Sequence, residues 1–226
     1  MFKRIIIISI AAFSFSVYSQ QAPKEVKEAI DRDLPGILKN VFEKSDKTQW
    51  NFSPEDKLDQ ITVSDPFRIR GIYRTDFQTL LTSPNVKSIK SYADTIKNSY
   101  TWNACVNANG VGKWLIDIRN ENGNWTVNGW GADYRADFFN KLFKVYNRKD
   151  IVLFYNTILG REYYHIKNKG IDNLTVIDHE KLSALPVNAN ENEIRNALGK
   201  ETGISEIADK TITQFKDRDR RKNELH

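Results

Sequence analysis

The chain is poor in the residues from which catalytic and metal centres are usually built. Its 226 residues include a single cysteine, Cys105, and three histidines. A lone cysteine excludes an intramolecular disulfide, so stability has to come from packing. The histidines, at positions 165, 179 and 226, fall into no metal-ligand spacing, and neither a metal nor a cofactor is expected. Charge of one sign is also scarce. With 34 basic and 29 acidic residues the net charge is +5, which lacks the strong basic field of a nucleic-acid binder. No internal repeat, low-complexity linker or Pro/Gly-rich joint marks a domain boundary. Only one long apolar run occurs, Ile5 to Val17, and at about 13 residues it falls short of the roughly 20 that span a bilayer.

That run reads instead as the core of an export leader. Lys3 and Arg4 precede it, Val17-Tyr18-Ser19 supplies compact residues at −3 and −1, and Gln20 and Gln21 end it without a stop-transfer pattern. Cleavage before Gln20 is expected. The mature chain is then exported, of bacterial type, periplasmic or extracellular, and free of a permanent membrane span. Residues 20–215 are expected to form one domain, followed by a mixed-charge tail over 216–226.

The mature sequence alternates between two periodicities. Val26, Ala29, Ile30, Ile37, Leu38, Val41 and Phe42 recur at helical spacing, and Pro35-Gly36 predicts a break into two helical pieces. Phe67, Ile69, Gly71 and Tyr73 alternate with Arg68, Arg70 and Arg74, which predicts a half-buried strand. Asn109-Gly110 and Asn122-Gly123 are hairpin signals that divide residues 99–130 into a three-stranded meander. At the first turn, a three-residue loop with Gly110 left-handed sets Ala104 opposite Trp114, Trp102 opposite Ile116 and Tyr100 opposite Ile118. A two-residue turn would mix polar and apolar residues on both faces. At the second, a two-residue turn pairs Ile118 with Val127 and Asn120 with Trp125. Trp102, Ala104, Trp114, Ile116, Ile118, Trp125 and Val127 then form one apolar face. The helix expected after Asp133, with Phe138, Leu142, Val145 and Tyr146 on one stripe, is placed over that face.

Beyond it, Ile151 to Tyr155 reads as a strand buried on both faces, with further strands near 161–167 and 173–177. Asn190 and Glu193 form a capping box, and Ile204, Ile207, Ala208 and Phe215 define a last amphipathic helix. The predicted fold class is α+β, with a largely antiparallel sheet that includes the meander and is covered by amphipathic helices.

Motifs of chemistry fail on their spacing. Gly110-Val111-Gly112-Lys113 resembles the end of a phosphate-binding loop, but Trp114 stands where Ser or Thr is required, and Asn107 where Gly is required. His179-Glu180 lacks the second histidine, since position 183 is Ser, and Glu162 and His165 sit three apart on a strand, pointing to opposite faces. The function expected is that of an exported, non-catalytic binding or interaction protein. Its partner is a protein or an anionic or glycan ligand, with Arg68, Arg70, Arg74 and Trp130 as candidate ligand-binding residues. The alternative is a small secreted hydrolase using Cys105 or a carboxylate with His165 or His179, and convergence of such a pair within about 3 Å would favour it.

Overall fold

A computed structural model describes residues 21–72, 101–128, 135–156, 158–166 and 173–223. The leader expected over 1–19, Tyr73, Arg74, Tyr100, Trp130 and Asp133 lie outside the described residues. So do the side chains of Arg70, Ile204, Ala208 and Phe215. The fold is α+β, with two sheets.

Helix α1, Lys24–Lys44, is continuous through Pro35, so the expected break is absent. A proline inside a helix removes one hydrogen bond and costs about 3 kcal/mol. The stripe that crosses it, Val26, Ile30, Leu34, Leu38 and Val41, is buried on both sides of the proline, at about 1.5–3 kcal/mol for each large side chain. Burial outweighs the local penalty, and it does so through a tertiary surface that the helix sequence does not display.

The surface is the first sheet, of order β1-β3-β4-β5, built from Ile61–Val63, Thr101–Ala108, Val111–Glu121 and Asn124–Asn128. Both hairpins close on two-residue turns with positive φ at both positions: 51° and 77° at Asn109 and Gly110, and 55° and 90° at Asn122 and Gly123. The second has the expected register, Ile118 opposite Val127 and Asn120 opposite Trp125. At the first, the three-residue loop is corrected. Ala108 pairs with Val111 and Asn107 with Gly112, and a bulge then brings Val106 opposite Trp114, Ala104 opposite Ile116 and Trp102 opposite Ile118. The extra residue on β4 is Lys113, and inserting it restores the apolar alignment that an unbulged two-residue turn would have scrambled. Trp102, Ala104, Trp114, Ile116 and Ile118 are fully buried beneath α1, with Trp125 and Val127 packed at the margin.

Helix α2, Arg135–Val145, therefore lies on the other face of this sheet, opposite to expectation. That face carries Cys105 and Leu115, which join Ala136, Phe138, Phe139 and Leu142 in a second core. Gly112 lets α2 come close: a Cβ there would stand 2.3 Å from the Ala136 carbonyl carbon and 2.4 Å from the Asp137 nitrogen.

The far side of α2 meets the second sheet, of order β2-β6-β7-β8-β9, formed by Ile69–Ile72, Ile151–Asn156, Arg161–Ile166, Asn173–Val176 and Glu201–Gly203. Among the described strands of this sheet, only the β2–β6 pair is parallel. Ile151, Leu153 and Tyr164 face the α2 core, which α3, His179–Ala184, and α4, Glu191–Ala197, complete through Leu182, Ile194 and Ala197. The capping box of Asn190 and Glu193 starts α4 as expected. The opposite face of the sheet receives α5, Ile204–Asn223, where Ile207 and Thr211 are buried and Asn156 Nδ2 donates to Thr211 Oγ1 at 2.9 Å. This helix runs on through most of the segment expected to be a tail.

Candidate functional site

Of the four candidate binding residues, Arg68 is the one whose side chain is described. Its guanidinium lies over the Trp102 ring, 4.4 Å from the centroid, so it serves the rim of the first core. Cys105 is fully buried among Phe67, Leu115 and Phe139, and its backbone is tied to Ser64, whose hydroxyl accepts from the Cys105 amide at 2.9 Å. A thiol so enclosed presents no face to a substrate. His165, opposite Val152 in the register, alternates with Tyr164 and so points away from the core that holds Cys105.

A carboxylate and an imidazole do converge. Glu162 on β7 has a side chain only 3% exposed, and its Oε2 lies 3.0 Å from His179 Nε2. Its Oε1 accepts from Arg135 Nη1 at 3.1 Å. Three elements meet at this glutamate: Arg135 opens α2, His179 opens α3, and Glu162 anchors both from the sheet. The Ile177 amide donates to the Glu162 carbonyl at 2.9 Å, which brings the chain leading into α3 alongside β7. Helix α3 is fixed at both ends. The Asp178 side chain caps it by accepting from the Lys181 amide at 3.1 Å, a bond that holds the Asp178 carboxyl below the usual carboxylate range. At its C-terminus, buried Lys141 donates to the carbonyls of Leu182 and Leu185 at 2.8 and 3.1 Å.

The His179 ring packs on Phe138, with 4.4 Å between centroids. The Nε2–Oε2 approach is an ion-pair contact and not an aligned hydrogen bond: Glu162 Oε2 and His179 Nδ1 are both buried and have no hydrogen-bond partner among the described residues. The arrangement is that of an imidazole held beside a carboxylate by packing on Phe138, with its Nδ1 closed to solvent. Sequence reasoning separated Glu162 from His165 correctly but did not pair it with His179. The available signal was a carboxylate inside the buried run Glu162-Tyr163-Tyr164-His165, which demands a partner. Among the described residues no group of three or more His, Cys, Asp or Glu side chains is placed to hold a metal ion, and no helix is long and apolar enough to cross a membrane.

The other feature with chemistry is α5. Past Thr211 its described side chains are half-buried or exposed, and a groove of about 760 Å³ runs along it, lined by acidic Glu206, Asp209 and Asp217 and by basic Lys210, Arg218 and Arg221, the last two at its C-terminal end. Between residues 216 and 222 the sequence holds Lys216, Arg218, Arg220, Arg221 and Lys222 against Asp217 and Asp219, so the end of the helix is basic. Fold and site together define an α+β protein with two sheets, a cluster of partly exposed Arg135 and His179 about buried Glu162, and a grooved, charged terminal helix. No protein-family model, no curated protein and no solved structure matches the chain.

Proposed function

We propose that the chain is an exported, non-catalytic binding protein for an anionic partner, with the distal half of α5 as the contact element. The observation that carries this is the projection of α5 beyond Thr211: a helix anchored by Ile207 and Thr211 continues to Asn223 with its cationic side chains Arg218 and Arg221 exposed on the groove. These two stand three residues apart, on adjacent turns of one helix face, a spacing that suits successive charges on an acidic polymer. Arg68 has less to offer such a ligand because its guanidinium is engaged with Trp102. The test is retention of the mature protein on an immobilised acidic polysaccharide at low and high salt, with Arg218→Ala/Arg221→Ala, Arg70→Ala/Arg74→Ala and Trp130→Ala variants alongside. Retention should weaken with salt, since screening acts over about 10 Å at 0.1 M, and should fall most in the α5 variant. Retention that is indifferent to salt, or unchanged in that variant, overturns the reading.

A second reading, a small secreted hydrolase, is favoured by one observation, the 3.0 Å contact between Glu162 and His179. The sealing of Nδ1 counts against it.

A further inference from the structure

Helix α5 carries its charges in an order that inverts about its middle. Ile207 and Thr211 are buried against the second sheet, while the face along the groove is open: the side chains of Glu206, Lys210 and Asp217 are 57%, 62% and 47% exposed. This face follows heptad spacing, with Lys210 and Asp217 on one line of the helix, as are Glu206 and Thr213. Counted inward from its two ends, it matches Glu206 with Arg221, Asp209 with Arg218 and Lys210 with Asp217, with Thr213 and Gln214 at the centre. Each charged match joins opposite signs. The helix dipole accounts for the outermost one, since it favours an acid in the first turn and a base in the last, but its reach ends there. Lys210 in the N-terminal half and Asp217 in the C-terminal half run against it, and they are opposite too. The whole order fits a two-fold axis between Thr213 and Gln214. Two antiparallel copies of α5 then set every charge of one against the opposite charge of the other, over about 22 Å of helix. The bridge that Lys210 makes to Glu206 at 2.6 Å joins two exposed side chains, so it is exchanged at little cost.

We propose that α5 is a self-recognition surface whose partner is α5 of a second copy of this chain, packed antiparallel about an axis between Thr213 and Gln214. This rests on the reading of α5 as the contact element and names the anion that Arg218 and Arg221 meet: the acidic half of the same helix in another molecule. Exposed ion pairs are individually weak, so the dimer is reversible and dissociated by salt. Sedimentation equilibrium of the mature protein at low salt should show a concentration-dependent dimer, with a dissociation constant that rises about tenfold or more at high salt. Glu206→Arg/Asp209→Arg and Arg218→Glu/Arg221→Glu each set like charges across the axis and should be monomeric. An equimolar mixture of the two should restore the dimer, because every match is opposite again. A parent monomeric at low salt up to millimolar concentration, a dimer that either reversal leaves intact, or a mixture of folded variants that stays monomeric overturns the proposal. Should a reversed variant not fold, Lys210→Asp decides: alone it should weaken the dimer, and joined by Asp217→Lys it should restore it, whereas a dimer unmoved by Lys210→Asp overturns the pairing. Retention of the same parent on the acidic polysaccharide keeps the two readings apart. A monomeric parent that is retained overturns the dimer and leaves the anionic reading standing, and one neither dimeric nor retained overturns both.

Discussion

Two of the ion networks among the described residues, one around Asp56 and one around Glu162, differ in completeness. At the first hairpin, Asp56 accepts from the Ser53 amide at 2.7 Å and from Asn109 Nδ2 at 3.0 Å, and pairs with Lys113 Nζ at 3.1 Å. Lys113 also reaches Ser53 Oγ at 3.2 Å, and its backbone carbonyl accepts from Asn51 Nδ2 at 3.1 Å. Lys113 is the bulge residue, so this network fixes the register of the sheet. At the second network, Glu162 joins three elements but its own Oε2 and His179 Nδ1 have no hydrogen-bond partner among the described residues. A satisfied network locks geometry. One with a donor or acceptor to spare holds its members together while keeping a reactive atom in reserve, and that distinction separates scaffold from candidate site.

The largest expected effect tests what the bulge accomplishes. By setting Gly112 under α2, it allows backbone contact that no side chain can share. Gly112→Ala should destabilise by about 3 kcal/mol or more, because the helix backbone and not a flexible side-chain end must move. Chemical denaturation measures this, and a loss under 1 kcal/mol would show that α2 does not rest on Gly112.

Next comes the lock itself. Asp56→Ala leaves the Lys113 ammonium short of its counter-ion and two donors unmet, at a cost of about 2–3 kcal/mol, moderated by the network's closeness to the surface. Acid should act in the same direction. Burial alone would raise the Asp56 pKa, but the Ser53 amide, Lys113 and Asn109 together outweigh it and hold the carboxyl below its ordinary 3.8. A depressed folded value contributes stability that is complete above the unfolded value and lost as pH falls through the folded one. The stability gap between parent and Asp56→Ala, measured by urea unfolding, should be constant near neutrality and shrink below about pH 3.9, the ordinary aspartate value. A gap that persists in strong acid would assign the stability to packing.

These two regions were unequally legible in the sequence. Asn122-Gly123 disclosed its turn, its register and the apolar face because local backbone chemistry decides all three. The bulge was hidden, since Lys113 looks like any polar residue in a strand until its partner Asp56, from a distant loop, is known. The unbroken α1 was hidden for a similar reason: Pro35 is a local signal and the sheet that overrides it is not. The place of α2 was misread because Cys105 and Leu115 are a sparse apolar set, and only Gly112 shows that the helix can come close there. The Glu162–His179 contact depends on β8 leading the chain back beside β7, a non-local event that no spacing in the sequence encodes.

The smallest effects belong to that contact, and they decide what kind of network it is. Glu162→Gln keeps shape and one hydrogen bond while removing the charge that Arg135 and His179 share. Arg135 is partly exposed and can rehydrate, so a loss of about 1–2 kcal/mol is expected. His179→Phe preserves the stack on Phe138 and leaves Glu162 with Arg135 as its partner, so about 1 kcal/mol or less should be lost. If the cluster serves only to join α2, α3 and β7, the two losses follow this order and binding to the acidic polysaccharide is unaffected in both. A hydrolytic role gives another pattern. An ester or glycoside hydrolysed by the parent would then be turned over at least tenfold more slowly by His179→Phe although the fold is nearly as stable, and by Glu162→Gln in proportion to the lost orientation of the ring. Screening both variants beside the parent on chromogenic esters and glycosides, with melting temperatures recorded on the same samples, separates the two: a drop in turnover without a matching drop in stability would move Glu162 and His179 from scaffold to active site.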